Sequence, residues 1–529
     1  MEQNKEKRED SEVMHWADSA ARKIIAEKGD KPGYVVAAGI TPSGTIHMGN
    51  FREVITVDLI RRALESLSKK VRFVYSWDDY DAFRKVPVNM PEQELLNSLL
   101  RKSIADIPDT MKCHDNYARH NEAVFETDLP KLNINPEFIS QSKKYKNCDY
   151  AEQIKIALEN NDIIKNIMNK FRKENLDEKW LPVSIFCEKC GKDSVEKIDW
   201  ENGYKVSYEC DCGFKDEFDI RKKGIIKLKW RIDWPMRWCY EKVDFESGGK
   251  DHFAAGGSFD TGMRISREVY DNPEPTSIRY EFIGLKGSSQ FSSSEGVITT
   301  LKEMLEIYEP ELIRYLFAST RPEAEFNISF DLDVLKNYED FDKCERIYFK
   351  TDDVKAEKEY EKQKRIYEMS AIKIPAKQPI QPGLRHLTTL IQIYEGNFDN
   401  IKKYFEANIK TEFDLQRLKT RFECTKKWLE KYSPEDFKFK VHEIPEAKLT
   451  GNEKEIIKVL KEKLEKNSYD DVSLHSEFYE IATALKIKPQ ELFTAVYRVL
   501  INKEKGPRLA SFIITIGKDK VIKLLEKAV

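Results

Sequence analysis

A glycine-rich segment, GITPSGTIHMGNF at residues 39–51, joins the apolar run YVVAA to a helical pattern that begins REVITV. Glycine lets the backbone approach a ligand closely, and the first turn of a helix presents unpaired N–H groups that attract phosphate. His47 and Asn50 fall near one face of the entering helix, and both can donate hydrogen bonds to a phosphate. The spacing matches neither a dinucleotide-binding glycine motif nor a P-loop. The segment therefore predicts a phosphate site of another kind, the alternative being a turn with a capping histidine.

Two clusters of metal-ligating residue types follow. The pairs CEKC and CDC supply four thiolates, the set that suits a tetrahedral structural zinc ion, at Cys187, Cys190, Cys210 and Cys212. Four unrelated buried thiols are the alternative. The second cluster, DTMKCHDNYARH, offers oxygen, sulfur and nitrogen ligands at Asp109, Cys113, His114 and His120. A spacing of four puts Asp109 and Cys113 on one helical face, but Cys113 and His114 are adjacent, so spacing alone leaves this site open.

Composition describes an ordinary globular protein with a heavily charged surface. The chain has 529 residues, and 89 Lys and Arg against 92 Asp and Glu leave a net charge of -3, which by itself implies no acidic partner. No apolar window is long enough to span a membrane, and the N-terminus is charged from its second residue. We therefore expect no membrane partner and a cytoplasmic location. The cysteines number nine, with four within 26 residues and the others scattered, which argues against a secreted disulfide scaffold.

The elements that must position these residues indicate an α/β fold. Residues 35–77 have the order strand, glycine-rich turn, helix, strand, which is a βαβ unit and predicts a Rossmann-like, doubly wound parallel sheet. Strand-like patterns return in GIIKLKWRIDWPMRW and GGKDHFAAGGSFDTG, which indicates a second parallel half. Beyond about residue 327 nearly every pattern has helical periodicity. We predict half of the sheet domain at 1–105, an insertion with zinc-binding elements at 106–222, the second half at 223–326, and all-α regions at 327–445 and 446–529.

The motif PSGTIHMGN resembles the HIGH signature of class I aminoacyl-tRNA synthetases, and in particular its form in class I lysyl-tRNA synthetases. His47 and Asn50 match its two histidines, which in that family grip the ATP phosphates and stabilise the transition state of amino-acid activation. The segment GLKGSSQFSSSEG occupies the place of the KMSKS loop, with residues 290–294 as its core. This core contains no lysine, and Ser293 stands at the position of the catalytic lysine. A flexible Ser/Gly linker is the alternative.

The resemblance implies roles for individual residues. The catalytic set is His47, Asn50, Ser292 and Ser293, with Lys286 as the nearest source of positive charge. The ATP-binding set is Pro42, Ser43, Gly44, His47, Gly49, Asn50, Asp251, Gly257 and Ser293. The lysine-binding set is Gly39, Thr41, Glu53, Asp79, Trp234, His252 and Tyr280. A buried ammonium needs a carboxylate, and Glu53 and Asp79 are the two candidates for it. Trp234 is a candidate pocket wall, although a buried aromatic is more often plain core.

The resemblance covers nearly the whole chain and implies a lysine–tRNA ligase. Such an enzyme uses ATP and Mg²⁺ to form lysyl-adenylate from L-lysine, and then transfers lysine to the 3′ end of tRNA(Lys). It also implies that both metal clusters are structural Zn²⁺ sites and that the helical C-terminal regions bind the anticodon. We expect a monomer. The alternatives are a glutamyl-type ligase, which would need an arginine in the side-chain pocket, and a catalytically silent tRNA-binding relative.

Overall fold

The structure is a computed structural model, and it describes residues 14–287 and 299–529. These residues form two compact units. The first comprises residues 14–305, 310–328 and 350–374, and the second comprises residues 306–309, 329–349 and 375–529. Within the described ranges no helix is long and apolar enough to cross a membrane.

All of the described strands lie in the first unit. In chain order they are β1 Gly33–Ile40, β2 Lys70–Trp77, β3 Glu137–Ser140, β4 Val183–Ile185, β5 Val195–Asp199, β6 Lys205–Cys210, β7 Lys215–Asp219, β8 Ile226–Leu228, β9 Phe245–Glu246, β10 Gly248–Gly249, β11 Arg279–Tyr280, β12 Ile283–Leu285 and β13 Phe326–Ile328.

Helices surround the strands and make up the second unit. Those up to residue 318 are α1 Trp16–Lys28, α2 Met48–Ser66, α3 Gln93–Ser98, α4 Tyr117–Asp128, α5 Gln141–Lys146, α6 Ala151–Glu159, α7 Asn161–Asn169, α8 Trp230–Glu241, α9 Ser258–Glu268, α10 Leu301–Ile307 and α11 Pro310–Ala318. Those that follow are α12 Asp333–Tyr348, α13 Glu357–Ser370, α14 Leu384–Ile393, α15 Phe398–Tyr404, α16 Glu412–Lys431, α17 Gly451–Lys466, α18 Asp471–Ala484, α19 Pro489–Ile501, α20 Leu509–Ile516 and α21 Lys518–Ala528.

The central sheet is parallel and has the order β3-β2-β1-β9. It is extended by β10 and β11, which pair in parallel, and by a parallel bridge between Phe245 and Thr276. β1 is buried on both faces, as the continuous apolar run predicts for a central parallel strand. The predicted βαβ unit is confirmed, with β1 and β2 in register from Gly33 opposite Lys70 to Ile40 opposite Trp77.

Glycine is needed where β1 ends. A Cβ atom added to Gly39 would lie 2.8 Å from the carbonyl oxygen of Ser76 on β2, closer than any side chain allows. The chain then turns into α2, whose carboxylate Asp58 forms a fully buried ion pair with Arg314 of α11 at 2.7 Å. These contacts fix the turn between a rigid strand and a rigid helix.

Two segments predicted to be strand-like are strands only at or near their starts, in β8 and β10. The segment WRIDWPMRW forms α8, in which Trp230, Trp234 and Trp238 recur every four residues and so share one helix face. Pro235 lies within α8 as well. The segment GGSFDTG begins α9 at Ser258 instead of continuing as a strand. The all-helical character predicted after residue 327 is confirmed over the residues described.

The second unit is held together by buried charges as well as apolar contacts. Arg421 of α16 is fully buried and contacts Glu309 and Asp342, each at 2.8 Å. Arg417, one turn earlier, contacts Glu309 at 3.2 Å and Glu345 at 3.0 Å. Because each buried charge has a partner, the network fixes the relative positions of α12 and α16. The bounds of the five predicted regions remain predictions.

Candidate active site

The turn that follows β1 is closed by reciprocal caps at the start of α2. His47 is the N-cap residue, and its Nδ1 accepts a hydrogen bond from the Gly49 N–H at 3.1 Å. In return, the backbone N–H of His47 donates to Oδ1 of Asn50 at 3.2 Å. The capping role considered for His47 is therefore present, and it orients the two side chains that the sequence predicts to bind phosphate. With Nδ1 accepting, the ring proton lies on Nε2.

Burial lowers the pKa of His47 from 6.5 to about 4. At neutral pH the imidazole is therefore uncharged and can act as a hydrogen-bond donor through Nε2. Such a group can stabilise charge on a phosphate without exchanging protons with it. This is the role expected of the first signature residue.

The chain that follows the second signature contacts the start of α2. The backbone N–H of Met48 donates to the carbonyl oxygen of Thr299 at 2.8 Å, one residue after the undescribed segment ends. On the other side, β12 pairs in parallel with β13, and the Lys286 N–H donates to the Ile328 carbonyl at 2.8 Å. Ser292 and Ser293 lie outside the described residues. Lys286 and Thr299, which flank the undescribed residues, are both held by backbone hydrogen bonds, and Thr299 contacts the start of α2.

Arg52 explains why these segments come together. Its guanidinium, almost fully buried on α2, donates to the carbonyls of Pro322 and Ala324 at 2.7 Å and of Phe282 at 3.2 Å. The arginine therefore ties α2 to the backbone that leads into β12 and β13. The sequence analysis did not identify Arg52, because an arginine inside a helical pattern carries no local signal of such partners.

Glu53 lies at the centre of the predicted lysine pocket. Its Oε1 accepts the Gly39 N–H at 3.0 Å, and its Oε2 accepts the Tyr280 hydroxyl at 2.9 Å. Burial, followed by the nearby negative charge of Glu246, raises the pKa of Glu53 from 4.5 to about 8. No cation is paired with Glu53 among the described residues, so this carboxylate would be stabilised by a positively charged ligand.

A group of aromatic residues lies at the ends of β10 and β11, where Tyr280 contacts Glu53. Trp234 is buried, stacks on Trp230 with ring centroids 5.2 Å apart, and meets His252 edge-on at 5.4 Å. A Cβ atom on Gly248 would touch Trp234 and His252, and one on Gly249 would touch Tyr280. The fold therefore brings Gly39, Glu53, Trp234, His252 and Tyr280 together.

Asp79 has a different environment. Its carboxylate accepts hydrogen bonds from the hydroxyls of Ser140 and Ser142, at 2.6 and 2.7 Å, and from the Ser142 N–H at 2.7 Å. These donors belong to the start of α5, and the side chain is 4% exposed. Burial raises the pKa of Asp79 as well. Asp79 thus anchors α5, whereas the oxygens of Glu53 accept hydrogen bonds from Gly39 and Tyr280.

The acidic segment after β2 supplies residues that sequence reasoning missed. Thr41 donates to Asp81 at 3.2 Å, and Asp81 also pairs with Lys227. Asp78 pairs with the buried Arg237 at 2.6 Å. The signal for these residues was the run WDDYD at the end of β2, where parallel sheets present their ligands.

The predicted nucleotide residues after β10 form a tight turn. Gly257 is the N-cap of α9, and a Cβ atom there would lie 2.5 Å from the His252 carbonyl oxygen. Asp251 is exposed, and Asp260 accepts the Gly256 N–H at 2.9 Å. Pro42, Ser43 and Gly44 lie on the turn before α2, where the Ser43 carbonyl accepts the Tyr117 hydroxyl at 2.9 Å.

The four cysteines of the insertion converge. The sulfur atoms of Cys187 and Cys212 are 3.7 Å apart, as are those of Cys190 and Cys210. Four thiolates at about 2.3 Å from a zinc ion would be separated by about 3.8 Å, so the set fits a tetrahedral site. Cys210 ends β6, the central strand of the antiparallel sheet β5-β6-β7.

The second cluster also converges, but not on a helix. Cys113 Sγ lies 3.1 Å from Nδ1 of both His114 and His120, and His120 Nδ1 lies 3.7 Å from an Asp109 oxygen. The prediction that Asp109 and Cys113 share a helical face was wrong, because residues 109–116 form a turn and α4 begins at Tyr117. Asp109 accepts the N–H groups of Met111, Cys113 and His114, and this turn lets adjacent Cys113 and His114 face one point.

The second unit contains a cavity of about 930 Å³ with a mixed basic and aromatic lining. Arg385, Lys503, Lys505 and Arg508 line it together with Phe437, Phe439 and Phe512. Residues 502–517, NKEKGPRLASFIITIG, supply part of this lining. Trp428 of α16 is fully buried and donates to the Phe330 carbonyl at 2.9 Å, so it belongs to the core.

Comparisons with known proteins cover the whole chain. Residues 14–373 match the family described as tRNA synthetases class I (K), and residues 392–529 match an anticodon binding domain. A lysine–tRNA ligase of Borreliella burgdorferi is 48% identical over 98% of this chain and 100% of the relative. Relatives with the same name from Treponema pallidum and Thermococcus kodakarensis are 43% and 41% identical, each over 97% of this chain and 98% and 99% of the relative.

Proposed function

The chain belongs to the class I lysyl-tRNA synthetase family, and from that premise we propose which residues carry out its reaction. The enzyme attaches lysine to tRNA in two steps. The lysine carboxylate attacks the α-phosphorus of ATP, which releases pyrophosphate and forms lysyl-adenylate. A hydroxyl at the 3′ end of tRNA then attacks the lysyl carbonyl, which releases AMP. The protein accelerates both steps by positioning the substrates and stabilising charge, and it forms no covalent intermediate.

We propose that Glu53 binds the side-chain ammonium of lysine. The observation that carries this assignment is a buried carboxylate between Gly39 and Tyr280 with a pKa near 8 and no cation paired with it among the described residues. An ammonium would restore the ionised form, and Trp234 would cover the methylenes. A glutamyl-type pocket would present a positive charge at this point, so the geometry favours lysine over glutamate.

Asp79 is then a positioning residue. Its hydrogen bonds to Ser140 and Ser142 hold α5 against the carboxyl end of β2. Thr41, His252 and the Asp81–Lys227 pair complete the surroundings of the amino acid.

For activation we propose that His47 and Asn50 donate hydrogen bonds to the triphosphate. The neutral imidazole donates through Nε2, and the Asn50 amide donates through Nδ2, since Oδ1 is used by the His47 N–H. Both groups are held by the helix caps, so little reorganisation is needed as charge moves onto the leaving pyrophosphate. Mg²⁺ accompanies ATP and neutralises part of the triphosphate charge. Ser292, Ser293 and Lys286 remain the proposed contacts from the second signature.

Both metal clusters fit structural zinc, and we propose that each holds one ion. Zinc would cross-link the strands that carry Cys187, Cys190, Cys210 and Cys212, and would close the turn between Asp109 and His120. The second site is connected to the active site through α4, because Tyr117 and Asn121 of that helix donate hydrogen bonds to the carbonyls of Ser43 and Pro42 at 2.9 and 3.4 Å. Closing the turn would therefore stabilise the phosphate-binding segment.

For tRNA we propose that the cavity of the second unit receives an unpaired anticodon base. Phe437, Phe439 and Phe512 offer faces or edges for a base, and Lys505 and Arg508 offer charge for the backbone phosphates. The cavity lies within residues 385–515, largely inside the match to an anticodon binding domain.

Lysine-dependent exchange of pyrophosphate into ATP tests the proposed roles, measured with and without tRNA. Lysine should support exchange, and glutamate should not. A catalytically silent relative would give no exchange with any amino acid under either condition. Substitution of Glu53 should act on the lysine concentration dependence, and substitution of His47 on the maximal rate.

A further inference from the structure

The second signature lacks a lysine in its core and contains one basic residue, Lys286, so any further positive charge beside the leaving phosphates must come from another part of the chain. A cavity of about 350 Å³ opens beside the first signature and is lined by Thr41 and Ser43 of its turn. Arg84 and Lys85 line the same cavity and are exposed. Among the residues that the structure describes, neither side chain has a hydrogen-bond or ion-pair partner.

This pair of cations differs from its neighbours. Arg101, close by along the chain, is bound by Asp193 at 2.8 Å, and Lys146 is bound by Asp106 at 2.6 Å. The acid that lines the cavity, Asp81, is already neutralised by Lys227. The net charge facing the cavity is therefore positive, and its mouth can take an anion without losing an existing ion pair.

The backbone holds Arg84 and Lys85 in place. Phe83 exchanges two hydrogen bonds of 2.7 Å with the segment 101–102, and its side chain is fully buried. Val86, on the other side of the pair, is buried in the same apolar cluster. Two buried residues thus flank two exposed cations, which prevents the pair from turning inward.

The same apolar cluster positions the signature turn. It includes Tyr117, whose hydroxyl donates to the Ser43 carbonyl at 2.9 Å. The segment after Lys85 also reaches the turn directly, because the Asn89 side chain donates to Thr45 at 3.1 Å. The cations and the phosphate-binding turn are therefore held by the same set of contacts. Because they are already ordered, an anion can bind between them with little loss of conformational entropy.

We propose that Arg84 and Lys85 form a phosphate-binding site at the mouth of this cavity and add positive charge to that of Lys286. Arginine can bind a phosphate through two parallel hydrogen bonds, and lysine adds a point charge. Two substrates of the reaction carry such a phosphate, namely the triphosphate of ATP and the 3′-terminal nucleotides of tRNA. The inference rests on the proposed function, because it assumes that the turn at residues 41–49 binds the substrates.

The test compares wild type with the double variant Arg84→Ala/Lys85→Ala and with a matched control, Lys355→Ala/Lys358→Ala. The control removes two exposed lysines of the same unit that lie outside the site, and it should behave as wild type. ATP and pyrophosphate binding are measured by calorimetry without tRNA, and the KM for tRNA is measured by aminoacylation at saturating ATP. Thermal unfolding checks that each variant is folded.

We expect the double variant to weaken at least one phosphate ligand by about tenfold or more, since a charge-assisted hydrogen bond contributes at least that much. Weaker ATP and pyrophosphate binding would assign the site to the triphosphate. A raised KM for tRNA with unchanged nucleotide binding would assign it to the tRNA 3′ end. The charge-conserving variant Arg84→Lys/Lys85→Arg should recover most of the affinity in either case.

If the double variant equals the control in all three measurements, the inference is wrong while the proposed function stands. If wild type itself shows no lysine-dependent exchange, the proposed function fails first. The two failures are therefore distinguishable in one set of experiments.

Discussion

Replacing Glu53 by glutamine removes the negative charge proposed to hold the lysine ammonium while keeping the size of the side chain. In the free enzyme the pKa of Glu53 is about 8, because burial disfavours the charged form. Only about 1% of the carboxylates are then ionised at pH 6, and about half at pH 8. Lysine binding selects the ionised form, so the lysine affinity of the wild type should rise about 50-fold between these values.

Glu53→Gln should lose both the lysine affinity of the wild type and the pH dependence of that affinity. Truncating one partner of a buried charge pair costs about 2 to 5 kcal/mol, so the lysine affinity of Glu53→Gln at pH 8 should fall by about 30-fold or more. Calorimetric titration with lysine at several pH values measures both quantities. Asp79→Asn is the matched control, since the Asp79 oxygens are already bound by Ser140 and Ser142. A Glu53→Gln enzyme that binds lysine like wild type would refute the assignment, and loss of binding in Asp79→Asn alone would transfer it to Asp79.

The pH dependence of the free energy of unfolding provides a second test of the raised pKa of Glu53. A carboxyl whose pKa is raised by folding favours the folded state at low pH, and this contribution is lost as the pH rises from about 4.5 to about 8. Glu53→Gln should therefore melt at about the wild-type temperature near pH 5 and at a higher temperature near pH 8.5. The full shift in pKa corresponds to about 5 kcal/mol, which is the upper limit for this gain. An equal or lower melting temperature at pH 8.5 would contradict the buried environment of Glu53.

Further substitutions test the other parts of the molecule. His47→Ala should slow pyrophosphate exchange by about 10²- to 10³-fold, which is the loss typical of removing one donor to a developing negative charge. Because the pKa of His47 is about 4, the ratio of the variant rate to the wild-type rate should stay constant from pH 5.5 to 8. Cys190→Ser should reduce bound zinc, measured by atomic absorption, from two ions per chain to one, and lower the melting temperature. Lys505→Ala/Arg508→Ala should raise the KM for tRNA about tenfold and leave lysine binding unchanged. Arg421→Met leaves Glu309 and Asp342 without their buried partner, and should lower the free energy of unfolding of the second unit, measured in urea, by about 3 to 5 kcal/mol.

Local patterns in the sequence predicted much of the first unit. The order of elements from Val35 to Trp77 gave the βαβ unit, and the paired cysteines gave one metal cluster. These features depend on neighbours only a few residues away, so the sequence displays them directly. The error at α8 has a local cause too. Residues four positions apart lie on one face of a helix and also on one face of a strand, so the spacing of Trp230, Trp234 and Trp238 does not distinguish the two.

The sequence by itself determined the capping of α2 by His47, since the hydrogen bonds between His47 and Gly49 and between His47 and Asn50 join residues at most three positions apart. It could not determine which carboxylate is available to lysine. Asp79 meets its partner Ser140 across 61 residues of chain, and Glu53 meets Tyr280 across 227. Only the tertiary structure brings these groups together, and the free energy of a buried charge depends on the partners within a few ångströms, however distant they are in the chain.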